Sequence, residues 1–307
     1  MTSISAPVPT ASKPVGLAGF DYTLYALVVF AWSTSWIAIK YQVGIVSAEV
    51  SLVYRFALSA ACMWAWLVAT GRPWAFPLRH HARFVILGIL LFSSNFLAFY
   101  YGGKTVPSGL LAVVFSLASV FNLVLGNLIF RTPIDRVTLI GALTGFGGVL
   151  LMFWPQISGA DFDHDALIGL GFCVGGTLSF CLGNMAAAES KRAGLDTFSV
   201  TAWGMIYGTL WLALLAFIMG RPYTFDWSPA YVVGLGWLSI FSSVLAFAAY
   251  LTLLNRIGAG RAGYATVMFP VFALAISTWV EGYQWTGWAI AGLALVLAGN
   301  IFVLKRR

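Results

Sequence analysis

The chain has 307 residues, of which 60% are hydrophobic and 9% charged, and its formal net charge is +7. A soluble domain carries about a quarter charged residues, so this composition cannot cover the surface of a water-soluble fold. It excludes a soluble protein and predicts a chain that faces lipid over most of its area. The basic residues lie between apolar runs, which favours membrane topology over a nucleic-acid partner as their role.

The chain begins with a polar tail, residues 1–21, that is rich in Ser, Pro and Ala and is predicted to be flexible and cytoplasmic. The tail lacks a basic start followed by an apolar core, so we expect no cleaved signal peptide. Ten apolar runs follow, each near the length of about 20 residues that a helix needs to cross the bilayer core. These spans are predicted at residues 22–40, 50–70, 83–102, 107–130, 136–154, 166–187, 197–219, 229–253, 260–280 and 284–304.

The basic residues between the spans predict how the protein sits in the membrane. Cytoplasmic loops carry an excess of Lys and Arg, and here thirteen basic residues fall on the side that holds both termini. The opposite side holds Lys40, Lys104 and Arg221 together with the acidic loop 161–165, while Arg55 lies inside the second span. We therefore expect a multi-pass protein of the inner membrane with cytoplasmic N and C termini.

An internal repeat relates the two halves of the chain. Residues 106–150 align with residues 257–301 after a shift of 151 positions, and the ends of the spans coincide. The identical residues that coincide include Phe121 and Phe272, Leu123 and Leu274, Gly141 and Gly292, and Gly148 and Gly299. Because each half holds an odd number of spans, the second half is inverted, as in many transporters. The prediction is an all-α polytopic membrane protein of ten transmembrane helices in two inverted five-helix repeats, 22–155 and 156–307.

Short motifs resemble those of a known family. Pro270-Val271-Phe272 lies within the ninth span, and Glu281 follows the proline eleven residues later. The other motif residues are Trp32-Ser33, Arg55-Phe56, Gly292 and Gly299. Over residues 22–304 the pattern resembles the EamA-type members of the drug/metabolite transporter superfamily. In the first half, Ser119 and Phe130-Arg131 replace the family's Pro and Glu, so roles tied to those positions stay open there.

Within the superfamily the chain looks most like the YddG-type aromatic amino-acid exporters, a likeness of overall character and of its 13 tryptophans. This resemblance implies an inner-membrane exporter of Phe, Tyr and Trp and related amphipathic metabolites, working by alternating access around a central cavity. The sequence has no ATP-binding motif and few intramembrane carboxylates, so we expect facilitative export. We also expect a monomer, with no cofactor or metal. A broad drug and metabolite efflux carrier, or an exporter of other amino acids, is the alternative.

The candidate substrate site combines aromatic rings with hydroxyl and amide groups inside the spans. An aromatic zwitterion needs an apolar wall for its ring and dipoles for its charges. Polar residues within lipid cost free energy unless they are paired or face water, which singles them out. The predicted substrate-binding residues are Ser33, Trp36, Asn95, Phe99, Ser119, Asn122, Ser243, Phe247, Tyr250, Tyr264 and Met268. Each of these can instead pack on a neighbouring helix or on lipid.

Arg55 and Glu281 are charges that lipid does not easily accommodate. We expect them to pair, with each other or with other polar groups, in a structural role that closes an outer gate. The alternative is that Arg55 binds the carboxylate of the substrate.

A membrane enzyme and a channel are the competing classes of function. An enzyme needs acids, nucleophiles or metal ligands at one depth, but His80, His81 and His164 all fall in predicted loops. A channel needs polar residues around a pore, whereas here they are sparse and mixed with bulky aromatics. Both patterns favour a carrier that is not an enzyme.

Overall fold

The structure, a computed structural model, describes residues 19–131, 133–134, 136–158 and 164–305. Residues 1–18 of the predicted tail and most of the acidic loop 161–165 lie outside the described residues. Where the chain is described, its regular secondary structure is helical and contains no strand.

The helices follow the apolar runs of the sequence closely. Eight of them are long and apolar enough to cross a membrane, and α5 and the apolar part of α10 are shorter. The helices are α1 (Gly19–Lys40), α2 (Ala48–Ala69), α3 (Leu78–Gly102), α4 (Ser108–Phe130), α5 (Arg136–Met152), α6 (His164–Arg192), α7 (Thr197–Ile218), α8 (Pro229–Leu253), α9 (Tyr264–Glu281) and α10 (Gly287–Lys305), with a short helix, Trp154–Ser158, after α5. The prediction of an all-helical, multi-pass membrane protein is confirmed.

The chain reverses direction between α8 and α9 without leaving the helical conformation, which continues over Ala246–Glu281. Tyr231 and Glu281 both lie near the end of α1 that carries Lys40. A straight helix at about 1.5 Å per residue would hold them about 75 Å apart. Arg256 instead pairs with Asp21 at the opposite end of α1. The two ends of the molecule are called the Lys40 end and the Arg256 end below.

Three helices depart from regular α geometry near the middle of their own length. π-helical segments occur in α3, at Leu90–Ser94, and in α8, at Trp237–Leu245. In α4 the helix is interrupted after Phe115, where the Ser116 hydroxyl donates to the Val113 carbonyl oxygen at 2.6 Å. Such local side-chain bonds compete with the helical ladder. Irregular turns therefore lie beside the regions where the predicted site residues were expected.

Three pairs of helices pack in antiparallel fashion: α5 with α10, α2 with α7, and α4 with α9. Between α5 and α10, Gly148 meets Gly292 and Gly141 meets Gly299. Between α2 and α7, Trp66 packs on Phe198, and Val50 and Ala216 share one apolar cluster. Between α4 and α9, Ser108 bonds to Glu281 and Phe115 packs on Phe269. In each pair, the start of one helix lies against the end of the other.

Glycines bring the backbones of α5 and α10 into direct contact. A Cβ atom on Gly148 would lie 2.5 Å from the carbonyl oxygen of Gly292, and one on Gly292 would lie 2.6 Å from that of Gly148. Small residues allow such close approach in lipid, where helices associate through packing more than through the hydrophobic effect.

Candidate substrate site

Four aromatic side chains meet between α1, α3, α4 and α9, and we call Trp36, Phe99, Phe115 and Phe269 the aromatic cluster. The Trp36 ring centroid lies 5.0 Å from that of Phe99, 5.5 Å from that of Phe115 and 6.3 Å from that of Phe269. Trp36, Phe99 and Phe269 are buried, and Phe115 is half-buried. The Trp36 ring meets Phe99 edge to face and stacks on Phe269, which are the arrangements that aromatic pairs prefer.

A hydrogen bond between α1 and α9 positions two members of the aromatic cluster. The Ser33 hydroxyl donates to the carbonyl oxygen of Val29 at 2.6 Å and lies 3.2 Å from that of Phe269. Phe269 immediately precedes Pro270, whose ring removes a backbone donor from α9. Ser33 thus bridges two helices, with 2% of its surface exposed.

The predicted polar residues of α4 pair with other helices. The Ser119 hydroxyl donates to the side-chain oxygen of Asn300 on α10. Asn184 on α6 donates to the side-chain oxygen of Asn122 at 3.4 Å. On α3, Asn95 is 1% exposed, and its side-chain oxygen has no hydrogen-bond partner among the residues that the structure describes. Of the two predicted asparagines, Asn122 accepts a hydrogen bond from Asn184, whereas Asn95 has a buried side-chain oxygen that accepts none within the described residues.

The predicted residues Tyr250, Phe247, Tyr264 and Met268 of α8 and α9 lie outside the aromatic cluster. Tyr250 packs on Trp32 with ring centroids 5.1 Å apart, and both Tyr250 and Tyr264 lie near Tyr25 on α1. Phe247 is half-buried. Met268 is 43% exposed, and it is its neighbour Phe269, 1% exposed, that contributes to the aromatic cluster.

Glu281 pairs with Lys40. It does not pair with Arg55, which was one of the two predicted possibilities. The Lys40 ammonium lies 3.7 Å from the Glu281 carboxylate. The same carboxylate accepts from the backbone N–H of Ser108 at 2.9 Å, from the Ser108 hydroxyl, and from the Ser277 hydroxyl at 2.7 Å. α9 ends at Glu281 because Gly282 takes a left-handed φ of 68°. The carboxylate therefore joins α1, α4 and α9 at the Lys40 end.

A second charged group at the Lys40 end was missed by the sequence analysis. Glu49 is 1% exposed and accepts from the Tyr101 hydroxyl, with Arg221 Nε 3.6 Å from its second oxygen. The Lys40 ammonium also donates to the carbonyl oxygen of Gly103 at 2.7 Å. The sequence signal that could have predicted this site is the carboxylate of Glu49 at the start of an otherwise apolar helix. These contacts connect α1, α2 and α3 to the loop after α7 at the Lys40 end.

Arg55 is buried and donates from Nη2 to the hydroxyl oxygen of Ser243 at 3.1 Å. Its guanidinium lies over the Phe96 ring, 4.4 Å from the centroid. The predicted residues Arg55 and Ser243 are thus in contact, away from Glu281.

Elsewhere, a groove of 630 Å³ at the Arg256 end lies between the ends of α3, α4 and α6, and a smaller cavity of 270 Å³ lies beside Glu49 and Arg221. No group of three or more His, Cys, Asp or Glu residues within the described ranges could hold a metal ion.

Comparison with known proteins matches the model of the EamA-like transporter family to residues 20–154 and 167–305. An "Uncharacterized transporter YoaV" of Bacillus subtilis is 22% identical over 91% of this chain and 96% of its own. Proteins named "Probable amino-acid metabolite efflux pump" are 24% identical in Salmonella typhimurium, over 70% of this chain and 74% of that protein, and 22% identical in Escherichia coli, over 94% and 96%.

A solved crystal structure at 16% sequence identity shares the fold. It covers 92% of this chain and 95% of its own, with a TM-score of 0.66. The family model matches most of the chain, and the helices are those of a multi-pass membrane protein. The chain therefore belongs to the EamA-like transporter family and is a membrane transporter.

Proposed function

We propose that the protein exports aromatic amino acids, Phe, Tyr and Trp, and related amphipathic metabolites across the inner membrane. The aromatic cluster carries this proposal, because it offers four rings from four helices at the centre of a transporter fold. Stacking on such rings selects an aromatic side chain. The names of the Salmonella and Escherichia coli relatives, which refer to amino-acid metabolite efflux, agree with this substrate class.

The proposed mechanism is alternating access between two inverted five-helix halves, 22–155 and 156–307. A two-fold axis in the membrane plane relates each helix of the first half to the helix five positions later, and where two such helices touch they run antiparallel. The pairs α5–α10, α2–α7 and α4–α9 pack in this way. The shift of 151 residues also exchanges the Gly148–Gly292 contact with the Gly299–Gly141 contact. Both π-helical segments fall in the third helix of a half. These relations support the proposal.

The proposed orientation puts the Lys40 end outside the cell and both termini in the cytoplasm. A reporter that is active only in the cytoplasm, fused after Arg307, is expected to be active, because the Arg256 end has most of the basic residues. The same reporter inserted after Lys104 is the matched control and is expected to be silent. The opposite pattern would contradict the orientation.

Transport is expected to be saturable and independent of a pH gradient. Purified protein in liposomes should exchange labelled phenylalanine in counterflow, since the sequence offers few intramembrane carboxylates for a proton relay. Phe269→Ala should lower this rate about tenfold, as the loss of about 1.4 kcal/mol of ring contact implies. Phe272→Ala, a 48% exposed ring on the same helix, is the control that should keep the wild-type rate.

Two results would contradict the proposed function. Strict dependence of counterflow on an imposed pH gradient would exclude facilitative export. Equal rates for Phe269→Ala and Phe272→Ala would remove the aromatic cluster from the substrate path.

A further inference from the structure

Arg55 is a buried cation without a carboxylate partner in the part of the chain that the structure describes. Its exposed fraction is 2%, and the ion pairs of the structure involve Lys40, Arg72, Arg221 and Arg256 instead. Removing one charge from water costs several kcal/mol unless an opposite charge and hydrogen bonds compensate it. The single hydroxyl oxygen of Ser243 leaves most of that cost in place.

Unused donors surround the Arg55 guanidinium. Its Nε and Nη1 atoms are buried and have no hydrogen-bond partner of good geometry among the described residues, and the same holds for the Tyr100 hydroxyl. Tyr100 lies close enough to Arg55 for its hydroxyl to interact with the guanidinium electrostatically and through a weak hydrogen bond whose geometry is poorer than that of the Ser243 contact. Buried polar groups are nearly always satisfied in native proteins, so a group of unused donors requires a partner. The guanidinium can only donate and is positively charged, so an acceptor with negative charge is the partner that suits its unused N–H groups.

The residues around the Arg55 guanidinium come from irregular parts of two helices or from the turns that follow them. Ser243 belongs to the π-helical segment Trp237–Leu245, and Phe96 and Tyr100 lie two and six residues after the segment Leu90–Ser94. One turn along α2, the Ser59 hydroxyl donates to the carbonyl oxygen of Ser239, at 3.0 Å, in the first of these segments. Segments of this kind are rare and are frequently found at functional sites.

We propose that Arg55, Tyr100 and Ser243 form a binding site for a small monovalent anion between α2, α3 and α8. The ligand is either the carboxylate of the exported amino acid or chloride. A guanidinium presents its N–H groups as a fork that matches two carboxylate oxygens, and the Tyr100 hydroxyl adds a third donor. The Phe56 and Phe96 rings, 5.2 and 4.4 Å from the guanidinium, exclude water from the site. The carboxylate version rests on the proposed function.

The test compares wild-type protein with Arg55→Met and with Arg79→Met, an exposed arginine at the start of α3 that serves as the matched control. Counterflow in liposomes is measured with phenylalanine and with phenethylamine, which lacks the carboxylate. Thermal unfolding of each purified protein is measured in sodium chloride and in sodium gluconate, whose anion is too bulky for a buried site. Tyr100→Phe is included because it removes one donor without deleting the buried charge.

If the ligand is the carboxylate, Arg55→Met should lower phenylalanine counterflow at least tenfold and leave phenethylamine unchanged. If the ligand is chloride, only proteins with Arg55 should gain thermal stability from chloride. In either case Tyr100→Phe should show the same effect in part, and Arg79→Met none. The anion site is overturned if Arg55→Met and Tyr100→Phe match the wild type in both the substrate ratio and the chloride response.

Failure of the proposed function is a separate result. If the wild type transports no aromatic amino acid, yet chloride stabilises it and not Arg55→Met, the anion site holds with chloride as its ligand.

Discussion

Replacing Gly148 with alanine is expected to separate α5 from α10 and to lower the free energy of unfolding by about 3 kcal/mol. The added Cβ would lie 2.5 Å from the Gly292 carbonyl oxygen and 2.7 Å from the Val296 backbone nitrogen. Both obstacles are backbone atoms, so no side-chain rotation can relieve the overlap. The helices must move apart along their length, which loses the contacts between them.

Gly147 is the matched control for this prediction, because a Cβ placed there meets nothing within 4 Å. Gly147→Ala should keep or raise stability, by up to about 1 kcal/mol, through the better helix propensity of alanine. Thermal unfolding of both variants in detergent, followed by size-exclusion chromatography, measures the difference. Equal unfolding temperatures for the two variants would show that the α5–α10 contact does not hold the helices together.

Glu281→Ala is expected to open the Lys40 end of the molecule. The carboxylate accepts hydrogen bonds from Ser108 and Ser277 and pairs with Lys40, so its loss frees three helices at once. Losing about 2 kcal/mol of charge-assisted hydrogen bonding should shift the equilibrium between closed and open states about thirtyfold. The protein should remain folded, because the helices themselves keep their other contacts.

The measurement uses a cysteine at Val106, which is 1% exposed in the loop before α4. Its reaction with a membrane-impermeant maleimide should be at least ten times faster in Val106→Cys with Glu281→Ala than in Val106→Cys alone. Glu189→Ala, which removes an exposed carboxylate at the other end, is the control and should leave the labelling rate unchanged. Unchanged labelling with Glu281→Ala would mean that the carboxylate does not close this end.

The helices were predictable because apolar length is a local property of the sequence. The predicted span 229–253 has the same bounds as α8, and α6 extends beyond its predicted end at residue 187 to Arg192. The π-helical segments had no such signal. The sequence of Leu90–Ser94 predicts an ordinary α-helix. In the structure the Ser93 hydroxyl donates to the carbonyl oxygens of Gly88 and Ile89 within the irregular turn.

The candidate site was harder to predict than the spans, because a helix that is apolar on all sides does not reveal which face is central. Trp36 and Phe99 were named in advance, but Phe115 and Phe269 were missed. Met268 was predicted, whereas its neighbour Phe269, about 100° further around α9, is the residue that packs in the aromatic cluster. The partner of Glu281 was also hidden, since Lys40 lies 241 positions earlier in the chain.

The π-helical segment of α3 holds one more residue than the same length of α-helix would, so the helix beyond it can shift its register by one residue. If Leu90–Ser94 relaxed to α-helical geometry, the part of α3 beyond it would turn by about 100° and advance about 1.5 Å. Asn95 and Phe99 would then take the directions now held by Phe96 and Tyr100, which face Arg55. A single register step would thus carry a side chain from the aromatic rings to the guanidinium without breaking the helix.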